Sequence, residues 1–435
     1  MEVLLKLTPV HQLTRRDTNF PTLDLIYQSL STDDIRQFQR DLDDEKNVGQ
    51  QQFRVGSLKE GLLDYCPSEN RRHNTVVCSP ILFVSVVAAS LAIAISSTYL
   101  LASAPIDALE YQLPRPTLFE DKSVANEQLT NGERLLEDQI YGPESIAVNK
   151  NTGLVYTGLR TGLICEIDLS GEPKIIRAVR LTSHENCDGS YHSMPRCGRP
   201  LGMSTKAVRN ILIRNLEEVR QLFAGATPAS DDDSTPPTRY LNDFDFLPDG
   251  RLIISESSTK FDDRDFIYDL LEHRPNGRIL EYNLVQDKLS VLVTNLYFPN
   301  GVQAVQGKVL IAEMGNARIL KQVNLTTYSP SSGNVDVLVD NLPGYPDNIR
   351  VSGDGALWVP LAATRTENDN WLAVRPRLRT LLTMEFQIDL ESGKLLESFH
   401  DRTGHISEVS VAVEDGRGNL LIGSDVQCYI GRIKL

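Results

Sequence analysis

Five residues spread over the second part of the 435-residue chain have side chains suited to holding a hard cation: Glu144, Asn242, Asn300 and the adjacent pair Asp347 and Asn348. Each stands at the start of a short apolar run, each carries a side-chain oxygen, and two are carboxylates. A hard divalent cation such as Ca²⁺ takes about six to eight oxygen ligands, with waters completing the shell. Two carboxylates would balance its charge. Taken singly, Pro299-Asn300-Gly301 and Asp347-Asn348 are ordinary turn formers. Their common phase within a recurring unit gives them joint meaning as a predicted calcium ring.

The recurring unit is a lead-in, a strand, a turn and a second strand. Gly344-Tyr345-Pro346-Asp347-Asn348 leads through Gly353-Asp354-Gly355 to Ala356-Leu357-Trp358-Val359. Asp-Gly between apolar runs is a strong hairpin signal, because both positions tolerate positive φ. Further lead-ins begin at Gly142, Gly198, Tyr240, Phe298 and Ile406, roughly 40 to 60 residues apart, each with about four short strands. Six such units predict an all-β fold, a six-bladed β-propeller over 132–435. Single blades cannot bury both faces, so they stack around a channel lined by the five residues. The last strand, near Ile430 to Lys434, needs a partner to close the ring, and Leu135 to Ile140 is the natural one. Two β-sandwiches would not produce this phase-locked recurrence. The second unit lacks its Asp-Gly hairpin between Met203 and Glu217, so the second blade is expected to be incomplete.

Ahead of the propeller, residues 1–73 show no sustained period and read as a mostly disordered cytoplasmic tail. Residues 76–103 are uncharged and long enough for the ~20 apolar residues that cross a bilayer. Arg71 and Arg72 precede the span while Asp107 and Glu110 follow it. The positive-inside rule then predicts a single-pass signal-anchor of type II topology, with the bulk of the chain luminal or extracellular, at the plasma membrane or endoplasmic reticulum. Prolines at 105, 114 and 116 make 104–131 a stalk. The Asn324-Leu325-Thr326 sequon predicts glycosylation at Asn324. Cys187 and Cys197, two of six cysteines, bracket a polar loop suited to a disulfide in an oxidising compartment. Zinc held by Cys187, Cys197, His184 and His192 fits less well, because no C-x-x-C or H-x-x-x-H pair is present. A formal charge of −14 argues against a nucleic-acid partner, since binding the phosphate backbone needs clustered Lys and Arg.

Gly142-Pro143-Glu144-Ser145, Cys197-Gly198-Arg199-Pro200-Leu201-Gly202, Phe298-Pro299-Asn300-Gly301-Val302 and Tyr345-Pro346-Asp347-Asn348-Ile349-Arg350 together resemble the strictosidine-synthase-like family. The likeness is closest to its animal adipocyte plasma membrane-associated branch. It spans roughly Leu101 to Leu435 and the N-terminal anchor. The resemblance implies a six-bladed propeller, type II topology and an arylesterase-like hydrolase activity. Paraoxonases, in the wider superfamily, hold a catalytic calcium with a Glu, several Asn and an Asp-Asn pair. That pattern implies calcium at Glu144, Asn242, Asn300, Asp347 and Asn348. Two positions depart from the relatives. Ser407 stands where strictosidine synthase has its catalytic glutamate, with Glu408 beside it, which argues against alkaloid-forming condensation. Leu201 stands at one position of the paraoxonase histidine pair. For ester hydrolysis the candidate bases are Asp347, His405 and Glu408. The expected ligand is therefore a small aryl or lipophilic ester; the alternative is a non-catalytic glycosylated propeller whose metal is structural.

Overall fold

The inner and second strands of each unit are apolar along most of their length, as strands buried on both faces must be. The computed structural model describes residues 8–9, 80–102, 106–116, 126–204, 236–323, 335–365 and 383–435. Within them, Val155–Gly158 and Leu252–Ser258 are buried throughout, while the outer strand Val335–Val339 is half-buried or exposed. Burial thus falls from the axis to the rim, as stacked radial blades require.

Five antiparallel sheets are present among the described residues, rather than the six expected. The first holds Ile146–Val148, Val155–Gly158, Leu163–Asp168 and Lys174–Arg180, with Thr8–Pro9 on its outer edge. The next three have inner strands Tyr240–Phe246, Pro299–Val305 and the interrupted pair Gly344–Pro346 and Arg350–Val351. Among the described residues the expected second blade forms no sheet. Its lead-in, Gly198 to Met203, has no strand, and residues 205–235, where its missing hairpin was noted, lie outside the described residues. The fifth sheet closes the ring: Glu133–Leu135 pairs with Ile430–Lys434, register Glu133↔Arg432. The closing strand therefore lies just ahead of the Leu135 to Ile140 stretch predicted for it.

The hairpins carry the predicted turn chemistry. Gly250, Gly355 and Gly416 sit at φ of 97°, 89° and 72°, the left-handed region that glycine enters without strain. The core lies between blades. Ile253 and Ile279 pack on Val302, Val309 and Ile311 of the following blade, and Trp358 and Phe399 pack on Ile406, Ala412 and Leu420 of the last. Full burial of each such side chain contributes about 1.5–3 kcal/mol.

The stretch expected to be a stalk is held against the propeller over 106–116. The Asp107 and Leu109 amides donate to Glu272 at 2.9 Å, and Tyr111 stacks on His273 with ring centroids 3.4 Å apart. Pro80–Ala102 forms a 23-residue helix over the predicted anchor. Only its middle side chains, 87–98, are described, and among the described residues no helix is long and apolar enough to cross a membrane. The glycosylation sequon at Asn324 and most of the predicted tail lie outside the described residues.

Candidate functional site

Two inner strands lose register where Asn242 and Asn300 stand, and a third does so at Ser410. Shifts fall between Leu241 and Phe244, between Pro299 and Val302 and between Val409 and Val411. Irregularities of this kind re-aim side chains out of the pleat. Asp347 and Asn348 fill the gap between the two halves of an interrupted strand. The Asp347 amide donates to Pro360 of its own blade at 3.0 Å, but the Asn348 amide donates to Ser410 of the last blade at 2.9 Å. Ser410 Oγ in turn donates to the Glu144 carbonyl at 2.5 Å. A Cβ on Gly301 would lie 2.3 Å from the Ile349 nitrogen and 2.5 Å from the Asp347 carbonyl oxygen, so only glycine lets these lead-ins meet. On the other side, Gly202 packs against Asn242 and Asp243. These contacts join the Gly301 lead-in to Asp347 and Ile349, Asn348 to Ser410 and through it to Glu144, and Gly202 to Asn242.

All five are buried, and Glu144 Oε2, Asn242 Oδ1, Asn300 Oδ1, Asp347 Oδ1 and both polar atoms of Asn348 accept or donate no hydrogen bond. Ordinary turn asparagines in the same chain behave differently. Asn149 Oδ1 accepts from the amides of Asn151 and Thr152, and Asn283 Oδ1 from those of Val285 and Gln286. An unsatisfied buried polar atom costs about 1–3 kcal/mol. A ring of them approaches the roughly 5–15 kcal/mol that stabilises a whole domain. These oxygens therefore suit a ligand that supplies positive charge.

Glu144 is partly answered already. Its Oε2 meets Arg199 Nη2 at 2.6 Å, an ion pair whose angle falls short of a hydrogen bond. Arg199 Nη1 forks onto Asp263 at 2.8 and 3.1 Å, and Nη2 reaches the Asp425 carbonyl at 3.3 Å. Burial pushes the Glu144 carboxyl up to about 8 against the pull of Arg199. Burial, then the charges of Glu144 and Asp425, hold Asp347 well above the usual carboxylate range. Two buried acids that repel each other favour protons or a cation. For Arg199, burial works against the charged form, but Glu144, Asp263 and Asp425 outweigh it and keep the guanidinium charged.

One or two residues beyond Glu144, Asn242, Asn300 and Asn348 lies a belt that the sequence reading did not single out. Arg350 donates bidentately to Asp243 at 2.7 and 3.0 Å and to Ser145 Oγ at 2.7 Å. Asp243 also accepts from the Val302 amide at 3.1 Å. Ser145 and Asp243 directly follow Glu144 and Asn242, while Val302 and Arg350 lie two beyond Asn300 and Asn348. The belt therefore fixes the spacing of the lead-ins. A charge within an otherwise apolar inner strand, Asp243 or Arg350, was the available signal.

The candidate bases are differently placed. Asp347 lies in the ring. His405 Nε2 lies 2.8 Å from the Gly132 carbonyl, and the His405 carbonyl accepts from Arg134, all at the ring closure. Glu408 sits at φ 54° and accepts from Gln427 Nε2 at 2.8 Å, which also donates to Ser407 Oγ at 3.0 Å. Cys187 and Cys197 form the predicted disulfide, with Cα atoms 5.7 Å apart, which removes the zinc alternative for that pair. Among the described residues no group of three or more His, Cys, Asp or Glu could hold a metal. The ring falls outside that description because three of its five members are asparagine.

The family description Strictosidine synthase matches residues 242–327, and Strictosidine synthase-like, N-terminal, matches 124–167. The chain is 32% identical over 367 residues to the adipocyte plasma membrane-associated protein of Salmo salar, covering 78% of this chain and 86% of that protein. With the Gallus gallus protein of the same name it shares 31% over 402 residues, 85% and 94% of the two chains. Among solved structures it is similar to a gluconolactonase from Xanthomonas campestris, with TM-score 0.41 and 14% identity over 76% of this chain and 98% of the other. A calcium-binding regucalcin from Agrobacterium tumefaciens gives TM-score 0.40 and 11% identity over 69% and 90%.

Proposed function

The chain belongs to the strictosidine-synthase-like family of adipocyte plasma membrane-associated proteins, and from that premise we propose that it is a membrane-anchored, calcium-dependent hydrolase of small aryl or lipophilic esters. The observation that carries this reading is the ring of buried oxygens without hydrogen-bond partners on Asn242, Asn300, Asp347 and Asn348, with Glu144 beside them. Glu144, Asn242, Asn300, Asp347 and Asn348 would hold the ion. A bound calcium ion would polarise the ester carbonyl. Asp347 Oδ1 has no partner and is the base this reading prefers for an attacking water. His405 and Glu408 are already engaged by Gly132 and Gln427. The belt of Arg350, Asp243 and Ser145 keeps the ring from relaxing when substrate enters.

The helix Pro80–Ala102 is the proposed anchor, with the tail before it cytoplasmic and the propeller on the other side. The relatives' name, plasma membrane-associated, favours that compartment.

The test is phenyl acetate turnover by the purified full chain, with and without chelator, beside Asn300→Ala and Asp347→Asn. Turnover is expected to fall by about 100-fold or more in each case. Activity indifferent to chelator and to both substitutions removes the mechanism. A chelator-dependent melting temperature without any ester turnover replaces it with the non-catalytic propeller and its structural metal. Extraction of the chain from membranes by alkaline carbonate would remove the anchor.

A further inference from the structure

Arg199 ion-pairs with Glu144 of the ring, and its surroundings set out what it does there. Its side chain is 8% exposed and touches Glu144 Oε2 at 2.6 Å, the same oxygen that faces the ring. Its other nitrogen is committed to both oxygens of Asp263, which Tyr240 also engages through its hydroxyl at 3.0 Å. The Asp425 carboxylate stands 3.8 Å away. Arg160, which donates to the Asp425 carbonyl at 3.3 Å, is the second guanidinium close enough to act on Glu144. Three carboxylates, Glu144, Asp263 and Asp425, thus surround the Arg199 guanidinium, with Arg160 beside them.

Arg199 is held on the site from outside. Cys197, two residues before it, is tied by the disulfide to Cys187, and its carbonyl packs against Gly162, where a Cβ would come within 2.4 Å. Pro200, next in the chain, packs as closely on Gly158. The guanidinium is therefore delivered on a rigid lead-in, and its Asp263 fork does not depend on Glu144.

We propose that Arg199 is a resident counter-ion that competes with the divalent cation for Glu144. The inference rests on the calcium reading of the ring and adds a residue that sets how tightly the ring binds. Without a cation, Arg199 covers the Glu144 carboxylate and keeps the acidic ring folded. When a cation takes Glu144 Oε2, Arg199 gives up that contact and remains on Asp263 and Asp425. The cost of that exchange weakens the site for every cation.

The test is calcium titration by calorimetry on the purified full chain, stripped with chelator, alongside melts in chelator and in calcium. Arg199→Met, which keeps length and removes charge, is expected to bind calcium at least tenfold more tightly than the wild-type chain. It should melt lower in chelator and show a larger rise on calcium addition. Arg199→Lys carries a compact ammonium that cannot fork onto Asp263 while meeting Glu144. It is expected to fall between the two, and it is the variant to read if Arg199→Met does not fold. Tightening is the decisive direction, because loss of a residue that merely props the loop can only weaken the site. Unchanged or weakened calcium affinity in the folded variant overturns the inference and leaves the ring reading standing. A wild-type chain that binds no calcium overturns both.

Discussion

Asn348→Leu separates a cation ring from a structural turn by the sign of its effect. Asn348 is fully buried, and neither its Oδ1 nor its Nδ2 has a hydrogen-bond partner. Leucine has nearly the same shape, so the substitution removes two unsatisfied polar atoms and breaks no side-chain hydrogen bond. Its backbone contact, the amide donating to Ser410 at 2.9 Å, is untouched. Relieving an unsatisfied buried polar atom is worth about 1–3 kcal/mol. In chelator, Asn348→Leu should therefore be more stable than the wild-type chain by that amount. In calcium at 100 times its dissociation constant, the wild-type chain gains about 2.7 kcal/mol from binding. A variant that has lost a ligand gains little, so the order of stabilities narrows or reverses. A shift of this size moves the melting temperature by roughly 2–4 °C per kcal/mol for a domain of ~200 residues. The assay is paired thermal or urea unfolding of both chains, with chelator and with calcium. Equal destabilisation in both conditions would refute the reasoning, for it would mean that Asn348 is held by contacts unrelated to an ion.

Arg350→Met should cost about 3–5 kcal/mol, the usual effect of leaving one partner of a buried ion pair alone, here the Asp243 carboxylate. Urea unfolding reads it, and the double variant with Asp243→Asn should recover much of the loss; a single-variant cost under ~1 kcal/mol, the scale of a surface pair, would contradict the belt. Acid should loosen the fold through two histidines whose imidazoles burial pulls down to about 4, His273 and His400. Unfolded, each binds its proton near pH 6.5, so the unfolded state holds more protons below that value. Stability is then complete above pH 6.5 and is lost as the pH falls towards 4, by about 1–3 kcal/mol per histidine. Asn tolerates the left-handed φ of 47° at His273, so His273→Asn should flatten the acid limb of a stability–pH curve, and an unchanged limb would exclude His273 as a source.

What the sequence made legible is local, and what it hid depends on ring closure. Asp-Gly turns, the alternation of lead-in and hairpin, and the Cys187–Cys197 loop are all encoded within about a dozen residues, so their spacing is read directly. The five oxygen-bearing residues stand out in the sequence because each repeats the same phase of that local unit. The blade count was not. A lead-in such as Gly198 to Met203 announces a blade, but a sheet also needs the hairpin that follows, and the sequence there carries no Asp-Gly turn. Likewise Arg199 stood in a quoted motif without a role, because its partners Asp263 and Asp425 lie 64 and 226 residues away. Asp243 and Arg350, 107 residues apart, become partners only when the blades stack. Long-range ion pairs of this kind have no periodic signature. Their trace is the charge itself, placed where a strand is otherwise apolar and burial would be costly without a partner. A charged residue one or two positions past a repeated oxygen ligand is thus a sequence-level sign that the ligand is being held in place.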